Sequence, residues 1–270
     1  MVDDSSVEDP AFDAAGPADG PPIVLVHGSV VKQTMWLPQL RGLSDSFRVI
    51  APDLPGHGAL ARVPFSFEAA ARVLTALIER EARGSAVVVG MSLGGYAAIE
   101  LAARRPELVS GLVLSGCSRD VRGALGVYLR AVSALMRRGW LAQSRTAAEK
   151  KTRALFPPEL ADVADAQIAA GVYPETLGAA FGEMAGRDFS GRLARCTGPV
   201  LILNGEKDSV ARHGEMAFAA ACREARVMVL PGAGHACSLD QPVAFNAAVR
   251  EFAARLPASD ARSTRSVTPE

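Results

Sequence analysis

Six short runs of apolar, mostly β-branched residues recur along the chain, and stretches with helical spacing follow most of them. The runs lie at 23–27, 47–51, 85–91, 110–116, 199–204 and 226–230. Each run is continuously apolar, as expected for strands that are covered on both faces. The helix candidates lie at 66–82, 94–104, 209–222 and 241–255. This alternation predicts an α/β protein with a mostly parallel sheet between layers of helices.

Three segments depart from the alternation. Residues 119–190 contain no strand candidate, and their Ala, Leu and Met residues recur at helical spacing, which predicts a helical insertion between two strands. Residues 1–20 carry six acidic side chains and no basic ones, and residues 258–270 are also polar. Because neither end has apolar periodicity, both are predicted as flexible tails, the first adding at most an edge strand.

Composition narrows the classes of protein that fit. The chain has 270 residues, of which 49% are apolar, so it can bury one sizeable core. It carries 29 basic and 29 acidic side chains, and this balance argues against a nucleic-acid or anionic-membrane binder. No apolar run approaches the roughly 20 residues that cross a bilayer, and the acidic start does not resemble a secretory signal. We therefore expect a cytoplasmic monomer or homodimer.

The four cysteines, Cys117, Cys196, Cys222 and Cys237, lie far apart in the sequence. No C-x-x-C pair occurs, so neither a zinc site nor a redox dithiol is indicated. We expect free, mostly buried thiols, no metal site and no cofactor.

The most specific motif is Gly90-Met91-Ser92-Leu93-Gly94, which directly follows the apolar run of residues 86–89 and precedes a helical stretch. A serine with glycine two residues to either side, between a strand and a helix, is typical of a nucleophile elbow. The tight turn holds the serine in a strained conformation, and the flanking glycines let strand and helix approach closely. The pattern predicts Ser92 as a nucleophile, although a coincidental Gly-Ser-Gly turn would have the same sequence.

A nucleophilic serine needs a base that accepts its proton. His235 follows the last strand candidate in a glycine-rich loop, at the sheet edge where ligands meet α/β proteins, and it is the predicted base. His27 and His57 stand beside glycines in tight turns and are predicted to bond nearby backbone. His213 lies in a charged segment and is predicted to be solvated.

A carboxylate should orient that base. Asp208 follows the apolar run at 199–204 and a glycine turn, so it is predicted to lie at the same sheet edge as His235 and to hold its tautomer. Glu206 and Asp240 are the competing acids. The order Ser, Asp, His along the chain is that of α/β-hydrolases.

The same chemistry needs N–H donors for the negative charge that develops on an attacked carbonyl. The N–H of Leu93, directly after the nucleophile, is one candidate. The loop after the first core strand should provide the other, with Ser29 as the first choice and Val30 as the alternative.

Together these residues resemble the α/β-hydrolase superfamily over about residues 22–256. The matching segments are Val26-His27-Gly28, Trp36, the segment from Asp53 to Gly58, the elbow at 90–94, the segment from Asn204 to Asp208, and the segment from Gly232 to His235. One departure is Ala59, where many relatives carry serine.

The resemblance implies an eight-stranded, mostly parallel sheet and a triad of Ser92, Asp208 and His235. It also implies a helical cap after the sixth strand, which gives a core of residues 21–118 and 191–257 and a cap of residues 119–190.

A serine at the elbow separates the chain from dehalogenases and epoxide hydrolases, whose nucleophile is aspartate. The resemblance therefore implies a serine hydrolase of small to medium, mostly apolar esters or lactones that works through an acyl-enzyme. The same triad would serve a carbon–carbon bond hydrolase or a cofactor-free perhydrolase, and a non-catalytic ligand-binding protein can also retain this fold.

The insertion itself carries two charge blocks. Residues 119–153 hold nine basic and two acidic side chains, whereas residues 154–190 hold one basic and six acidic ones. The halves are expected to pair with each other, or Arg119, Arg122 or Arg130 attracts an anionic substrate. The predicted pocket wall consists of Val30, Met91, Leu125, Tyr128, Leu129 and Trp140.

Overall fold

The computed structural model describes residues 11–141 and 144–256 of the chain. Within these residues, seven strands form one sheet in the order β1-β3-β2-β4-β5-β6-β7. They are β1 Phe12–Ala15, β2 Pro22–Val26, β3 Arg48–Pro52, β4 Ala86–Met91, β5 Val109–Ser115, β6 Val200–Gly205 and β7 Ala225–Leu230. Strands β2 to β7 pair in parallel, and β1 pairs antiparallel with β3. The predicted α/β class and mostly parallel sheet are confirmed.

Helices connect these strands. In the described ranges the α-helices are α1 Leu37–Leu43, α2 Phe67–Glu81, α3 Leu93–Arg104, α4 Gly123–Arg137, α5 Arg145–Arg153, α6 Ala161–Ala170, α7 Thr176–Met184, α8 Phe189–Leu193, α9 Ser209–Arg212, α10 Glu215–Ala221, α11 Cys237–Asp240 and α12 Pro242–Ala254. Short 3₁₀ turns occupy Gln33–Trp36, Gly58–Leu60, Pro106–Leu108 and Pro158–Leu160. None of the helices in this part of the chain is long and apolar enough to cross a membrane.

The centre of the sheet is buried on both faces because β2 and β4 are apolar at every position and β5 and β6 at most positions. In β4, Val88 packs into one core cluster, whereas Val87 and Val89 pack into the other. Helices α2 and α3 cover the first face, and α1 and α12 cover the second. Successive side chains of a strand point to opposite faces, so a continuous apolar run fills two cores at once.

One sequence prediction about the sheet needs correction. The resemblance implies eight strands, but the described residues contain seven, so the helical insertion follows the fifth of them rather than the sixth. Strand β1 lies in the predicted tail of residues 1–20 and is the edge strand that the sequence analysis allowed there. Asp13 and Ala14 of this edge strand are exposed, and backbone bonds to β3 hold it, so its side chains carry little apolar signal. Residues 1–10 and 257–270 lie outside the described residues.

The predicted helix at 209–222 is also wrong in one respect, because it is two helices, α9 and α10. They meet at Gly214, whose backbone passes so close to the Ser118 carbonyl that a Cβ there would overlap it. Glycine also weakens the interior of a helix, so the chain turns at this contact.

The insertion between β5 and β6 forms the helices α4 to α8. Its two ends are joined, because the Gly186 N–H donates to the Val121 carbonyl at 2.7 Å and Arg122 pairs with Asp188 at 2.7 Å. Farther out, Arg153 of α5 pairs with Asp165 of α6 at 2.5 Å. These ion pairs connect the basic half of the insertion to its acidic half, as the charge blocks predict.

Candidate active site

Ser92 occupies the turn between β4 and α3. Its φ of 52° and ψ of −118° are strained for a residue with a side chain, and its N–H donates to the Ser115 carbonyl at 2.7 Å. A Cβ at Gly90 would lie 2.5 Å from the Gly95 Cα, and one at Gly94 would overlap the Val26 carbonyl. The close approach of strand and helix therefore requires these glycines, as the motif predicts.

Asp208 and His235 lie together at the carboxyl ends of β6 and β7. His235 Nδ1 donates to Asp208 Oδ2 at 2.7 Å, and the Asp208 Oδ1 accepts the Ala211 N–H at 3.1 Å. The carboxylate is buried, whereas 48% of the imidazole is exposed. Burial alone would raise the pKa of Asp208, but its hydrogen bonds outweigh burial and lower the pKa below its ordinary value. The bond fixes the proton on Nδ1 and leaves Nε2 free to accept one.

The two competing acids hold the histidine loop instead of the imidazole. Glu206 Oε2 accepts the Gly232 N–H at 2.8 Å, and Asp240 Oδ2 accepts the Gly234 N–H at 2.6 Å. Both bonds fix the turn that carries His235. No pattern in the sequence indicates this supporting role.

Ser92 and His235 line the same small cavity of about 100 Å³. Among the described residues, no hydrogen bond joins the Ser92 hydroxyl to the imidazole. Catalytic hydrogen bonds are often long in the absence of substrate and shorten when substrate binds. Ser92 and His235 therefore lie at the same cavity, although the Ser92 hydroxyl and the imidazole do not form a hydrogen bond.

The candidate oxyanion donors lie beside this cavity. Leu93 is the first residue of α3, so its N–H has no acceptor within the helix. Ser29 lines the cavity, and within residues 11–141 and 144–256 neither its N–H nor that of Leu93 bonds to an acceptor. A Cβ at Gly28 would be 3.5 Å from the Ser92 Cβ, so this loop passes close to the nucleophile. Val30 does not line the cavity, which favours Ser29 over the alternative.

The cavity wall differs from the predicted one. Met91 lines it, but Val30, Leu125, Tyr128, Leu129 and Trp140 do not. Leu125 and Leu129 of α4 pack against the core, whereas 63% of Tyr128 in the same helix and 76% of Trp140 in the turn after it is exposed. The apolar wall consists of Val31, Met35, Met91, Leu155, Ala236 and Leu239. Only Leu155 in this set belongs to the helical insertion, and no spacing in the sequence singles it out.

The remaining histidines match their structural predictions. His27 Nε2 accepts the Leu54 N–H at 2.9 Å, so its proton is on Nδ1, which donates to the Gly28 carbonyl at 2.7 Å. His57 Nδ1 bonds the Pro55 carbonyl at 3.0 Å. Burial lowers the pKa of His27 to about 4 and that of His57 to about 3, so both rings are neutral at pH 7. His213 is exposed.

All four cysteines are free thiols, and Cys117, Cys196 and Cys237 are buried. Burial raises the pKa of Cys237 to about 11, so this thiol is neutral at pH 7 although it lies two residues after His235. In the described ranges, no group of three or more His, Cys, Asp or Glu side chains is arranged to hold a metal ion.

The sheet order, the elbow and the polar groups at its carboxyl edge define an α/β hydrolase. A family model described as the alpha/beta hydrolase family matches residues 23–248, which is most of the chain. The chain therefore belongs to the α/β-hydrolase family.

Two similar proteins carry esterase names. The chain is 28% identical over 253 residues to a pimeloyl-[acyl-carrier protein] methyl ester esterase of Nitrosospira multiformis, covering 87% of this chain and 95% of the relative. It is 29% identical to a thermophilic esterase of known structure from Thermogutta terrifontis, with a TM-score of 0.73 over 90% of this chain and 92% of that one.

The enol-lactonase of Burkholderia xenovorans LB400 also superposes on the chain. Its TM-score is 0.71, and the superposition covers 90% of this chain and 95% of the enol-lactonase. At 22% identity, this likeness shows a shared fold.

Proposed function

We propose that the protein is a serine hydrolase that cleaves small carboxylic esters or lactones through a triad of Ser92, His235 and Asp208. The observation that carries the proposal is the 2.7 Å bond between His235 Nδ1 and the buried Asp208, at a cavity that Ser92 shares with the imidazole. The esterase names of two relatives across nearly the whole chain support the same class of reaction.

In this mechanism the Ser92 hydroxyl attacks the carbonyl carbon of the substrate while His235 Nε2 accepts its proton. The Asp208 carboxylate stabilises the imidazolium that forms. The imidazolium then gives its proton to the departing alkoxide, which leaves an acyl group on Ser92. A water molecule transfers a proton to His235 and attacks the acyl carbon, and the released Ser92 oxygen recovers the proton.

The N–H groups of Ser29 and Leu93 stabilise the negative oxygen of each tetrahedral intermediate. One such donor typically contributes about 3 kcal/mol to transition-state stability. Leu93 begins helix α3, and His27 holds the Gly28 carbonyl of the peptide that carries the Ser29 N–H, so both donors need little reorganisation as the charge develops.

The cavity favours a small acyl group. Its volume of about 100 Å³ is below the few hundred Å³ of pockets that hold larger ligands, and its wall is mostly aliphatic. A short, uncharged acyl chain therefore suits it best.

The test is hydrolysis of p-nitrophenyl esters from acetate to octanoate and of lactones with four- to seven-membered rings. We expect hydrolysis to be fastest with short acyl chains and to fall by at least about 10³-fold in Ser92→Ala. The matched control is Ser209→Ala, an exposed serine at the same sheet edge, which should keep the wild-type rate. Equal rates for Ser92→Ala and wild type would contradict the proposal.

A further inference from the structure

The loop that carries the proposed Ser29 donor is held from two sides. From the core, His27 Nδ1 donates to the Gly28 carbonyl at 2.7 Å. From the helical insertion, the Tyr173 N–H donates to the Val30 carbonyl at 2.8 Å, in a single antiparallel bridge. Ser29 lies between these two fixed carbonyls.

The bond from His27 to the Gly28 carbonyl orients the N–H of Ser29. In a trans peptide, the carbonyl of one residue and the N–H of the next point in opposite directions. Because His27 holds the Gly28 carbonyl, the Ser29 N–H points away from His27, and Ser29 lines the cavity that contains Ser92. The orientation of this peptide therefore decides whether the donor faces the substrate.

The second bond supports a strained residue. Val30 has a φ of 73°, in the left-handed region that β-branched residues rarely adopt. Such conformations persist when surrounding contacts hold them. The bond from Tyr173 to the Val30 carbonyl is the contact that the insertion provides.

Residues 171–176, which we name the strap, are themselves fixed by buried polar groups. The fully buried Gln167 donates from Nε2 to the Gly171 carbonyl at 2.9 Å and accepts the Lys32 N–H at 3.4 Å. The Thr176 hydroxyl donates to the Tyr173 carbonyl at 2.7 Å and lies 3.1 Å from His57 Nε2.

The histidines complete the connection between strap and core. The Tyr173 and His57 ring centroids are 5.6 Å apart, and those of His57 and His27 are 4.8 Å apart. A continuous set of contacts thus runs from the strap through two neutral imidazoles to the Gly28 carbonyl.

We infer that the strap, held by Gln167 and Thr176, positions the oxyanion donor of Ser29. The helical insertion then does more than cover the cavity, because movement of the strap away from Val30 removes a support of the loop. Gln167 and Thr176 are positioning residues that do not touch the substrate. The catalytic part of this inference rests on the proposed function.

The test compares Gln167→Leu and Thr176→Val, which remove the polar contacts with little change in volume, with Ser133→Ala. Ser133 is also buried in the insertion, where its hydroxyl donates to the Gly178 carbonyl at 2.6 Å, away from the loop. Two measurements are made on the full chain: amide hydrogen exchange of Tyr173, whose N–H donates to the Val30 carbonyl, and kcat and KM with a short p-nitrophenyl ester.

We expect faster exchange of the Tyr173 N–H in Gln167→Leu and Thr176→Val, by about tenfold. We also expect kcat to fall by about tenfold, with KM and the shape of the pH profile unchanged, because misplaced groups weaken transition-state contacts selectively. In Ser133→Ala, both the exchange and kcat should remain within about twofold of wild type.

Unchanged exchange in both strap variants would overturn the inference, and so would faster exchange with an unchanged kcat. If the wild type hydrolyses no ester or lactone, the proposed function fails separately. The exchange measurement then still decides whether the strap holds the loop.

Discussion

Asp208 determines the proton position on His235. Its buried carboxylate accepts the Nδ1 proton, so Nε2 carries the lone pair that faces the cavity. Glu206 lies two residues earlier in the same turn but bonds a backbone N–H. The two side chains therefore form a matched pair of carboxylates with different expected roles.

Asp208→Asn should lower kcat by about 10³- to 10⁴-fold, because an amide can stabilise the wrong tautomer and does not stabilise the imidazolium. Glu206→Gln should keep kcat within about threefold of wild type. Steady-state kinetics of the two variants with one ester measure the difference. Similar losses in both variants would contradict the assignment of the acid.

Gly116 is a second residue on which His235 depends. Its φ is 65°, its N–H donates to Asn204 Oδ1 at 2.9 Å, and a Cβ there would lie 2.9 Å from the His235 Cε1. The imidazole thus packs directly on the glycine backbone. Gly123 has a similar φ of 59°, but a Cβ added to it would have no neighbouring atom of the described residues within 4 Å.

Gly116→Ala and Gly123→Ala should each destabilise the protein by about 1 kcal/mol, because both place a side chain at positive φ. Only Gly116→Ala should also displace the imidazole, and we expect it to lower kcat by at least about tenfold. Chemical denaturation gives the stability of each variant, and ester kinetics give kcat. An equal effect on kcat in the two variants would show that the imidazole does not rest on Gly116.

The candidate triad could be predicted because each of its residues has a local signal. Ser92 has the glycine elbow, and Asp208 and His235 each follow an apolar run. The roles of Glu206 and Asp240 could not be predicted, because bonds from a side chain to a distant backbone N–H leave no pattern of spacing. The contact of Gly116 with His235 could not be predicted from the sequence for the same reason.

At the scale of elements, a buried carboxylate ties the insertion to the core. Glu100 of α3 is fully buried, and it pairs with Arg104 at 2.6 Å and with Arg192 of α8 at 2.8 Å. Arg187, two residues before the start of α8, lies 3.7 Å from the same carboxylate. Removing this negative charge leaves the arginines without their common partner.

Glu100→Gln should lower the free energy of unfolding by about 2–3 kcal/mol, since breaking a buried ion pair leaves uncompensated charge. The control is Glu107→Gln, whose partner Arg105 is on the surface, and its effect should stay below about 1 kcal/mol. Urea unfolding measures both variants. Equal losses would mean that Glu100 does not anchor the insertion.

The sequence predicts elements better than it predicts which way their side chains face. All six apolar runs begin and end within one residue of observed strands, because continuous apolar runs are distinctive. Strand β1 lacks such a run and is held by backbone pairing. The spacing of Leu125 and Leu129 correctly indicates a helix with a buried face, but it does not say whether that face meets the core or the cavity.

For the whole molecule, two buried neutral histidines make the free energy of unfolding depend on pH. The pKa values of His27 and His57 are lowered to about 4 and about 3, whereas an unfolded chain takes up these protons near pH 6.5. Between those values the unfolded state binds more protons than the folded state. Stability must therefore decrease as the pH falls from 7 towards 4.

We expect the free energy of unfolding to fall by roughly 3–4 kcal/mol between pH 7 and pH 5, with the two histidines contributing similar shares. Urea unfolding at the two pH values measures this loss. His57→Gln should reduce it by about half, and His213→Gln, at an exposed site, should leave it unchanged. An undiminished loss in His57→Gln would contradict this explanation.

The central claim is that the fold makes the hydroxyl of Ser92 reactive, and labelling with a fluorophosphonate tests it most directly. Intact mass and peptide mapping should find one adduct, on Ser92, in the wild type. The adduct should form at least about 100-fold more slowly in His235→Ala and not at all in Ser92→Ala. An unlabelled wild type, or equally fast labelling of His235→Ala, would contradict the claim.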